Sequence, residues 1–342
     1  MTYDHIANVI SALPIPVLVV GPQDRVRAVN AALEKILGPE LVGKHYITAL
    51  RQPAIIAAIT TLRGRGTPGT VRFTSRDGAK DTVYRVTLAE TNGDIVLSFE
   101  DQTASEEAGQ MRRDFVANVS HELRTPLTAL MGFIETLGGA ARNDAAARDR
   151  FLSIMANEAA RMTRLVDDLL SLSRVEVEER VRPRDNVDLG SVLTSVIKAL
   201  EPQAMTAGVT VTLVNDGNGE LIPGDAGQLV QVFTNLVENG IKYGAAGKRV
   251  TVTVHKRAHD TRLRSDAMCV TVTDDGEGIA SHHLARLTER FYRVDNHRSR
   301  EIGGTGLGLA IVKHIVNRHR GRMRIESEEG QGTKVSVILP TF

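Results

Sequence analysis

Phe115–Leu127 reads F-V-A-N-V-S-H-E-L-R-T-P-L and sets a histidine beside a carboxylate, His121-Glu122. Phe115, Val119, Leu123, Leu127, Leu130, Ile134 and Leu137 recur at three- and four-residue steps, which predicts the apolar face of a long helix. His121 falls off that stripe, so its ring is expected to face solvent or a partner. A free imidazole is nucleophilic at neutral pH, and an adjacent carboxylate can orient it and take its ring proton. Pro126 lacks a backbone donor and biases Thr125 away from α geometry, which predicts a bend just past the histidine. Read alone, His121 also suits an ordinary surface histidine on a coiled-coil helix.

Around this stretch, residues 105–180 read as two long helices. The first ends at Gly138-Gly139, and the second is capped by Asn143 or Asp144. The second carries Phe151, Met155, Met162, Leu165, Leu169 and Leu172 at heptad-like steps. Two helices with one apolar stripe each bury little surface alone. Paired across a two-fold axis they form a four-helix bundle, so a homodimer is expected.

Upstream, residues 1–104 read as a small α+β module. Strands Val17–Val20 and Val26–Val29 flank a turn, Asn30 caps a helix Ala31–Leu37, and Ile55–Leu62 is a second helix ended by Gly64 and Gly66. Three strands follow, around Thr70–Thr74, Thr82–Leu88 and Asp94–Phe99, the first two joined near Asp77-Gly78. His5 and His45 have no motif around them and read as surface or core residues.

Downstream, the charged run Glu178–Asp185 with Pro183 marks a linker, and residues 185–342 read as an α/β domain. Its helices are Leu189–Ala207, Gln228–Tyr243 and Ala310–Val316. Its strands are Val209–Val214, Val250–Lys256, Met268–Thr273, Arg322–Ser327 and Lys334–Leu339. Asn235, Asn239 and Lys242 lie at helical offsets of four and three, so they share a face. Amide oxygens can ligate Mg²⁺, and an ammonium complements phosphate. Asp274-Asp275-Gly276-Glu277-Gly278-Ile279 ends a strand, where a carboxylate can accept an amino proton and glycines admit a planar base. Gly303-Gly304-Thr305-Gly306-Leu307-Gly308-Leu309 runs into an apolar helix, a backbone cradle for phosphates. Adjacent His282-His283 point about 100° apart on a helix and carry no metal-ligand spacing, so they read as surface residues.

Composition excludes several classes. Among 342 residues, 42 basic and 41 acidic side chains leave a net charge of +1, which favours neither nucleic acid nor an anionic membrane as partner. One cysteine, Cys269, excludes an internal disulfide framework. No stretch approaches the ~20 apolar residues that span a bilayer. The chain is therefore expected in the cytoplasm, or at the inner face of the cell membrane if an N-terminal anchor is missing.

Ser120–Leu127, S-H-E-L-R-T-P-L, resembles the H-box of sensor histidine kinases, and the C-terminal strings resemble their N, G1, F, G2 and G3 boxes. The resemblance implies a multidomain α+β protein: a PAS-like sensor domain, a two-helix dimerisation hairpin, and an α/β sandwich Bergerat-fold ATP-binding domain. The exit string Glu100-Asp101-Gln102-Thr103 resembles that of PAS modules. It further implies that His121 accepts the γ-phosphoryl of Mg-ATP, that Glu122 is the general base, and that Thr125 serves dephosphorylation of the partner. Asn239 becomes the Mg²⁺ ligand, beside Asn235, with Lys242 at the phosphates and Tyr243 beside the nucleotide. Asp274 becomes the adenine contact with Gly276 and Gly278, while Arg293 of Glu289–Arg293 reaches the γ-phosphate. Gly304, Gly306, Leu307 and Gly308 form the phosphate loop, Thr333 backs the adenine, and Asp295–Ile302 is a lid. Gly240 stands where relatives mostly have alanine.

The implied partner is the receiver domain of a response regulator, with no nucleic acid. The wording around G-G-T-G-L-G-L-A-I-V-K looks most like phosphate-regulon sensor kinases, whose membrane helices are absent here. Two other readings bear on the same strings. A catalytically silent dimeric scaffold predicts a damaged box, and none is seen. A gyrase- or chaperone-like ATPase needs a glutamate at position 235, where this chain has asparagine.

Overall fold

In the computed structural model, which describes residues 3–77, 80–216, 221–244, 249–295 and 304–341, the chain divides into two units, Met1–Ala117 and Asn118–Phe342.

The first unit is ordered by a strand buried on both faces. All four residues of β1 (Val17–Val20) are buried, because a helix not anticipated from sequence, α1 (Tyr3–Ser11), covers the second face. Leu18 and Val20 join the main core, whereas Val17 and Val19 pack with Ile10 of α1. Next come β2 (Val26–Val29), α2 (Ala31–Leu37), α3 (Tyr46–Leu50) and α4 (Pro53–Arg65), then β3 (Gly69–Asp77), β4 (Lys80–Thr91) and β5 (Asp94–Asp101). The five strands form one antiparallel sheet in the order β2-β1-β5-β4-β3.

Asn30 ties three elements together. Its buried amide donates to the carbonyls of Ile10, Leu13 and Ile15, and its Oδ1 accepts from the Val17 and Leu33 amides at 3.0 and 3.1 Å. It caps α2 as expected, and it also anchors the start of β1. The helix expected to stop at Gly64 continues to Arg65, and Gly66 ends it at φ 68°. His45 has a task of its own, since its Nδ1 accepts from the Ile47 amide at the start of α3. Gly78, expected in the turn between β3 and β4, lies outside the described residues.

The long helix α5 (Thr103–Gly138) corrects one expectation. It stays helical through Thr125 and Pro126, with no break at the proline. Pro126 is buried and removes the ladder bond to the Glu122 carbonyl, while the Thr125 hydroxyl adds a bond to the His121 carbonyl at 3.2 Å. Asp144, not Asn143, caps α6 (Ala145–Glu178) by accepting from the Ala147 amide at 3.0 Å. Phe133 and Phe151 stack across the hairpin with ring centroids 5.3 Å apart. The expected apolar stripe is split: Leu123, Leu130 and Leu137 are half-buried, while Leu127 and Ile134 are 50% and 57% exposed.

Beyond the hairpin come β6 (Asp185–Asp188), α7 (Leu189–Ala207), β7 (Thr210–Asn215), β8 (Leu221–Gly224) and α8 (Ala226–Tyr243). They are followed by β9 (Arg249–Asp260), β10 (Ser265–Asp274), the short α9 (Ser281–Leu284), α10 (Gly308–Arg318), β11 (Arg322–Glu328) and β12 (Gly332–Pro340). The main sheet runs β11-β12-β10-β9-β7, with β7 parallel to β9 and the other neighbours antiparallel. β6 and β8 pair separately, and β8 was not anticipated. Period-two alternation sends Val250, Val252 and Val254 into a core shared with Leu229, Phe233 and Val237 of α8 and Ile311 and Ile315 of α10.

His319, 1% exposed, closes this core at the end of α10. Its Nε2 accepts from the Asp225 amide at 3.0 Å and its Nδ1 lies 2.8 Å from the Ile315 carbonyl, a pattern that only the neutral, Nδ1-protonated ring satisfies. Burial holds this imidazole below its ordinary range, against the opposing pull of the Ile315 bond and of Asp225. The unfolded chain therefore binds the proton more readily than the folded one. The His319 contribution to stability is complete above about pH 6.5 and is lost as pH falls through the folded-state value. Urea unfolding at a series of pH values is expected to show this decline below about pH 6.5, with a shallower decline in His319→Gln.

Candidate functional site

Most of the residues singled out by sequence in the C-terminal half line one cavity of about 360 Å³ in the second unit. One wall is α8, where the helical offsets bring Asn235, Asn239, Lys242 and Tyr243 to the same opening. Lys242 Nζ lies 3.0 Å from Glu238 Oε1, one turn back, so its charge is already partly matched. Gly240 also lines the cavity and is buried against Val250, whose methyls would meet an added Cβ at 3.0 and 3.1 Å.

The floor is the end of β10. Asp274 Oδ1 accepts from the Gly276 amide at 2.9 Å and from the Thr333 amide at 3.2 Å, which joins the expected adenine-side residues across neighbouring strands. The Thr333 hydroxyl lies 3.0 Å from Ser327 Oγ, which also donates to Gly332 O. Gly278 lines the cavity at φ 72°, and a Cβ there would sit 1.9 Å from the Glu328 carbonyl oxygen. Only glycine meets both demands. Gly276 lies beneath the lining, where its Cβ would meet Asp274 Oδ1 at 2.7 Å.

The glycine-rich loop closes the far end through Gly304, Thr305, Gly306 and Gly308, while Leu307 is fully buried below it. Gly303 and the expected lid residues 296–302 lie outside the described residues. The loop is sewn to the segment before it: the Phe291 amide donates to the Gly306 carbonyl at 2.8 Å, and Gly306 (φ 73°) lies against the Phe291 backbone. Arg293, its side chain 4% exposed, donates from Nη2 to the Thr305 carbonyl at 2.9 Å and to Glu122 Oε2 at 3.0 Å. Arg161 of α6 reaches the same Glu122 oxygen at 3.3 Å. The site thus touches the carboxylate beside His121. His121 itself is exposed on α5 and does not line the cavity, in keeping with the ~100° between adjacent helical positions.

Three contributors had no motif to announce them. Arg164, Asp167 and Asp168 of α6 line the cavity from the hairpin side. Burial pushes the Asp168 carboxyl above its ordinary range, with Glu238 and Asp167 adding to that push and the Thr305 hydrogen bond and Lys242 opposing it. Lower on the hairpin, Glu179 accepts from Asn317 and pairs with His314 at 2.9 Å. Burial works to raise its carboxyl, but these bonds and the charges of His314 and Lys313 leave it below the ordinary range. His283 is more than a surface residue. Its Nδ1 is hydrogen-bonded to the Tyr292 hydroxyl, while Arg286 lies over the Tyr292 ring at 4.2 Å, and Tyr292 lines the cavity. The described residues contain no group of three or more His, Cys, Asp or Glu that could hold a metal ion.

Residues 111–178 match the family described as the His Kinase A (phospho-acceptor) domain, and residues 224–342 match the histidine kinase-, DNA gyrase B- and HSP90-like ATPases. A sensor protein kinase WalK of Staphylococcus aureus is 32% identical over 97% of this chain and 80% of its own length. The chain belongs to the sensor histidine kinase family. A WalK of Staphylococcus saprophyticus is 33% identical over 97% of this chain, which spans about half (54%) of that longer protein. These relatives carry the WalK name rather than that of the phosphate-regulon sensors that the glycine box resembles.

Two solved structures share the fold. The Acinetobacter baumannii histidine kinase AdeS is 24% identical, with TM-score 0.51 over 65% of this chain and 98% of that one. The histidine kinase ThkA, solved in complex with the response regulator TrrA, is 18% identical, with TM-score 0.55 over 98% of each chain. As in other sensor histidine kinases of this build, an α+β chain combines a helical hairpin with an α/β ATP-binding unit. No helix among the described residues is long and apolar enough to cross a membrane.

The two glycines facing β-strand neighbours separate by this geometry. Gly278→Ala is expected to destabilise the chain by more than about 1 kcal/mol and to weaken binding of a fluorescent ATP analogue. Gly240→Ala should stay within about 1 kcal/mol of the parent, as helix propensity gained offsets the crowding of Val250. Urea unfolding and analogue titration of both variants check the contrast.

Proposed function

We propose that this chain is an ATP-dependent protein histidine kinase that autophosphorylates His121 and passes the phosphoryl group to an aspartate of a response regulator. The observation that carries the reading is the hydrogen bond from Arg293, at the glycine-rich end of the cavity, to Glu122 beside His121. A ring nitrogen of His121 attacks the γ-phosphorus, the bond to the β-phosphate oxygen breaks, and ADP leaves. Glu122 takes the ring proton. Lys242, Arg293 and the amides of the glycine-rich loop offset the charge on the transferring group, so catalysis is mainly alignment and charge neutralisation. Asp274 and Thr333 hold the adenine, with Asn235, Tyr243, Gly276 and Gly278 shaping the pocket around the nucleotide.

Mg²⁺ fits the donor set, since Asn239 offers an amide oxygen in a cavity that also holds Asn235 and Glu238, and oxygen ligands suit a hard cation. Bound there, the ion would neutralise phosphate charge. The Thr125 hydroxyl, one turn from His121, supports a further dephosphorylation of the partner regulator.

In this reading residues 1–104 are a PAS-like sensor, 105–180 the dimerisation and phosphotransfer hairpin, and 185–342 the catalytic domain. The antiparallel sheet order β2-β1-β5-β4-β3 supports the first assignment. So does its exit, where Asp101 Oδ1 accepts from the Thr103 amide at 2.8 Å and Thr103 Oγ1 accepts from the Val83 amide at 3.0 Å. Homodimerisation through the hairpin is supported by the apolar side chains it leaves open, among them Leu127, Met131, Ile134, Leu152 and Leu170, each at least 50% exposed. The kinase works on the cytoplasmic side.

Incubation with γ-labelled ATP and Mg²⁺ tests the reading. The full chain is expected to take acid-labile, base-stable label that His121→Gln abolishes, with Glu122→Gln slowing it about 100-fold. Equal labelling of the His121→Gln chain would reject it.

A further inference from the structure

α6 presents one continuous face to the ATP-binding elements. Leu165, Leu172 and Val175 on it are 4%, 1% and 2% exposed, an apolar seam at steps of seven and three residues. Asp168 interrupts that seam. Aspartate is a poor helix former, and burying its carboxylate costs free energy unless it is paired. Its Oδ2 accepts the Thr305 hydroxyl at 2.7 Å, and the same hydroxyl oxygen accepts from the Leu307 amide at 3.3 Å, where α10 begins. The Thr305 carbonyl is bonded by Arg293, which also bonds Glu122. Three hydrogen bonds of 2.7, 2.9 and 3.0 Å therefore run from α6 through the glycine-rich loop to the carboxylate next to His121.

The geometry points to Asp168 as a positioning residue for phosphoryl transfer: it pins the glycine-rich loop to the hairpin through Thr305 and so sets Arg293 beside Glu122. The inference rests on the kinase reading above. A carboxylate in a phosphate cavity does not build affinity, because it repels the anion the cavity takes. Asp167 and Glu238 line the same cavity, as do the cations Arg164, Lys242 and Arg293. The return on Asp168 lies in the transfer step, where a small misplacement of the reacting groups is costly. What that step needs is acceptance of the Thr305 hydrogen, which an amide oxygen can also supply.

The test is the rate of His121 labelling across ATP concentrations, with amide hydrogen exchange over Gly304–Gly308, in the full chain and in Asp168→Ala and Asp168→Asn. Asp168→Ala is expected to lower the saturated rate about 10- to 100-fold without raising the KM for ATP. Its loop amides should exchange faster. Asp168→Asn should label within about threefold of the parent, with loop exchange unchanged, as the acceptor is kept. An Asp168→Ala chain that binds ATP and labels as fast as the parent, or faster, overturns the proposal alone. Asp168→Asn as slow as Asp168→Ala overturns it too, since charge and not the bond would then be at work. A parent chain that binds ATP yet takes no label overturns the kinase reading and the proposal together.

Discussion

The Arg293 guanidinium donates in one direction to the Thr305 carbonyl and in another to the Glu122 carboxylate, almost wholly shielded from water. A charge-assisted bond is worth more where water cannot compete for its partners, and more costly to leave unmade. That condition shapes what surrounds it. The loop bearing Thr305 must lie against the hairpin, so α6 has to supply an apolar face at Leu165, Leu172 and Val175 and polar partners at Asp168 and Glu176. Glu176 is bonded by Arg290, one turn of sequence from Arg293, so the two arginines grip both helices of the hairpin. In the kinase proposed above, the path from the glycine-rich loop to the helix that bears His121 is one side chain long.

Sequence made the nucleotide cavity legible because each box carries its geometry locally. Asn235, Asn239 and Lys242 share a helix face by counting, and Gly278 and Gly306 mark backbone that no other residue can follow. The hairpin's share of the site was not legible. Asp167-Asp168 reads as two polar residues on a helix, and only the docked arrangement reveals that one of them faces Thr305. The same holds for His283, whose partner Tyr292 lies nine positions on in a turn rather than at a helical step.

The misreadings have similar causes. Propensity argued against α geometry at Thr125 before Pro126, yet the long helix runs through both residues despite one missing ladder bond. The stripe through Leu127 and Ile134 was correct as an apolar pattern but divides in burial, half-buried at Leu123, Leu130 and Leu137 and exposed at Leu127 and Ile134. Helix α1 went unseen because its signal is short, though the unbroken apolar run Val17–Val20 implied a cover on each side of the strand.

The bond from the Phe291 amide to the Gly306 carbonyl is one half of a clasp, and the bond from Arg293 to the Thr305 carbonyl is the other. Both tie the stretch around Phe291–Arg293 to the stretch around Thr305–Gly306. Once the first bond has removed the freedom of the two stretches, the second forms at little further cost in conformational entropy. The two stretches therefore loosen as a pair, and this end of the cavity behaves as a single piece of wall.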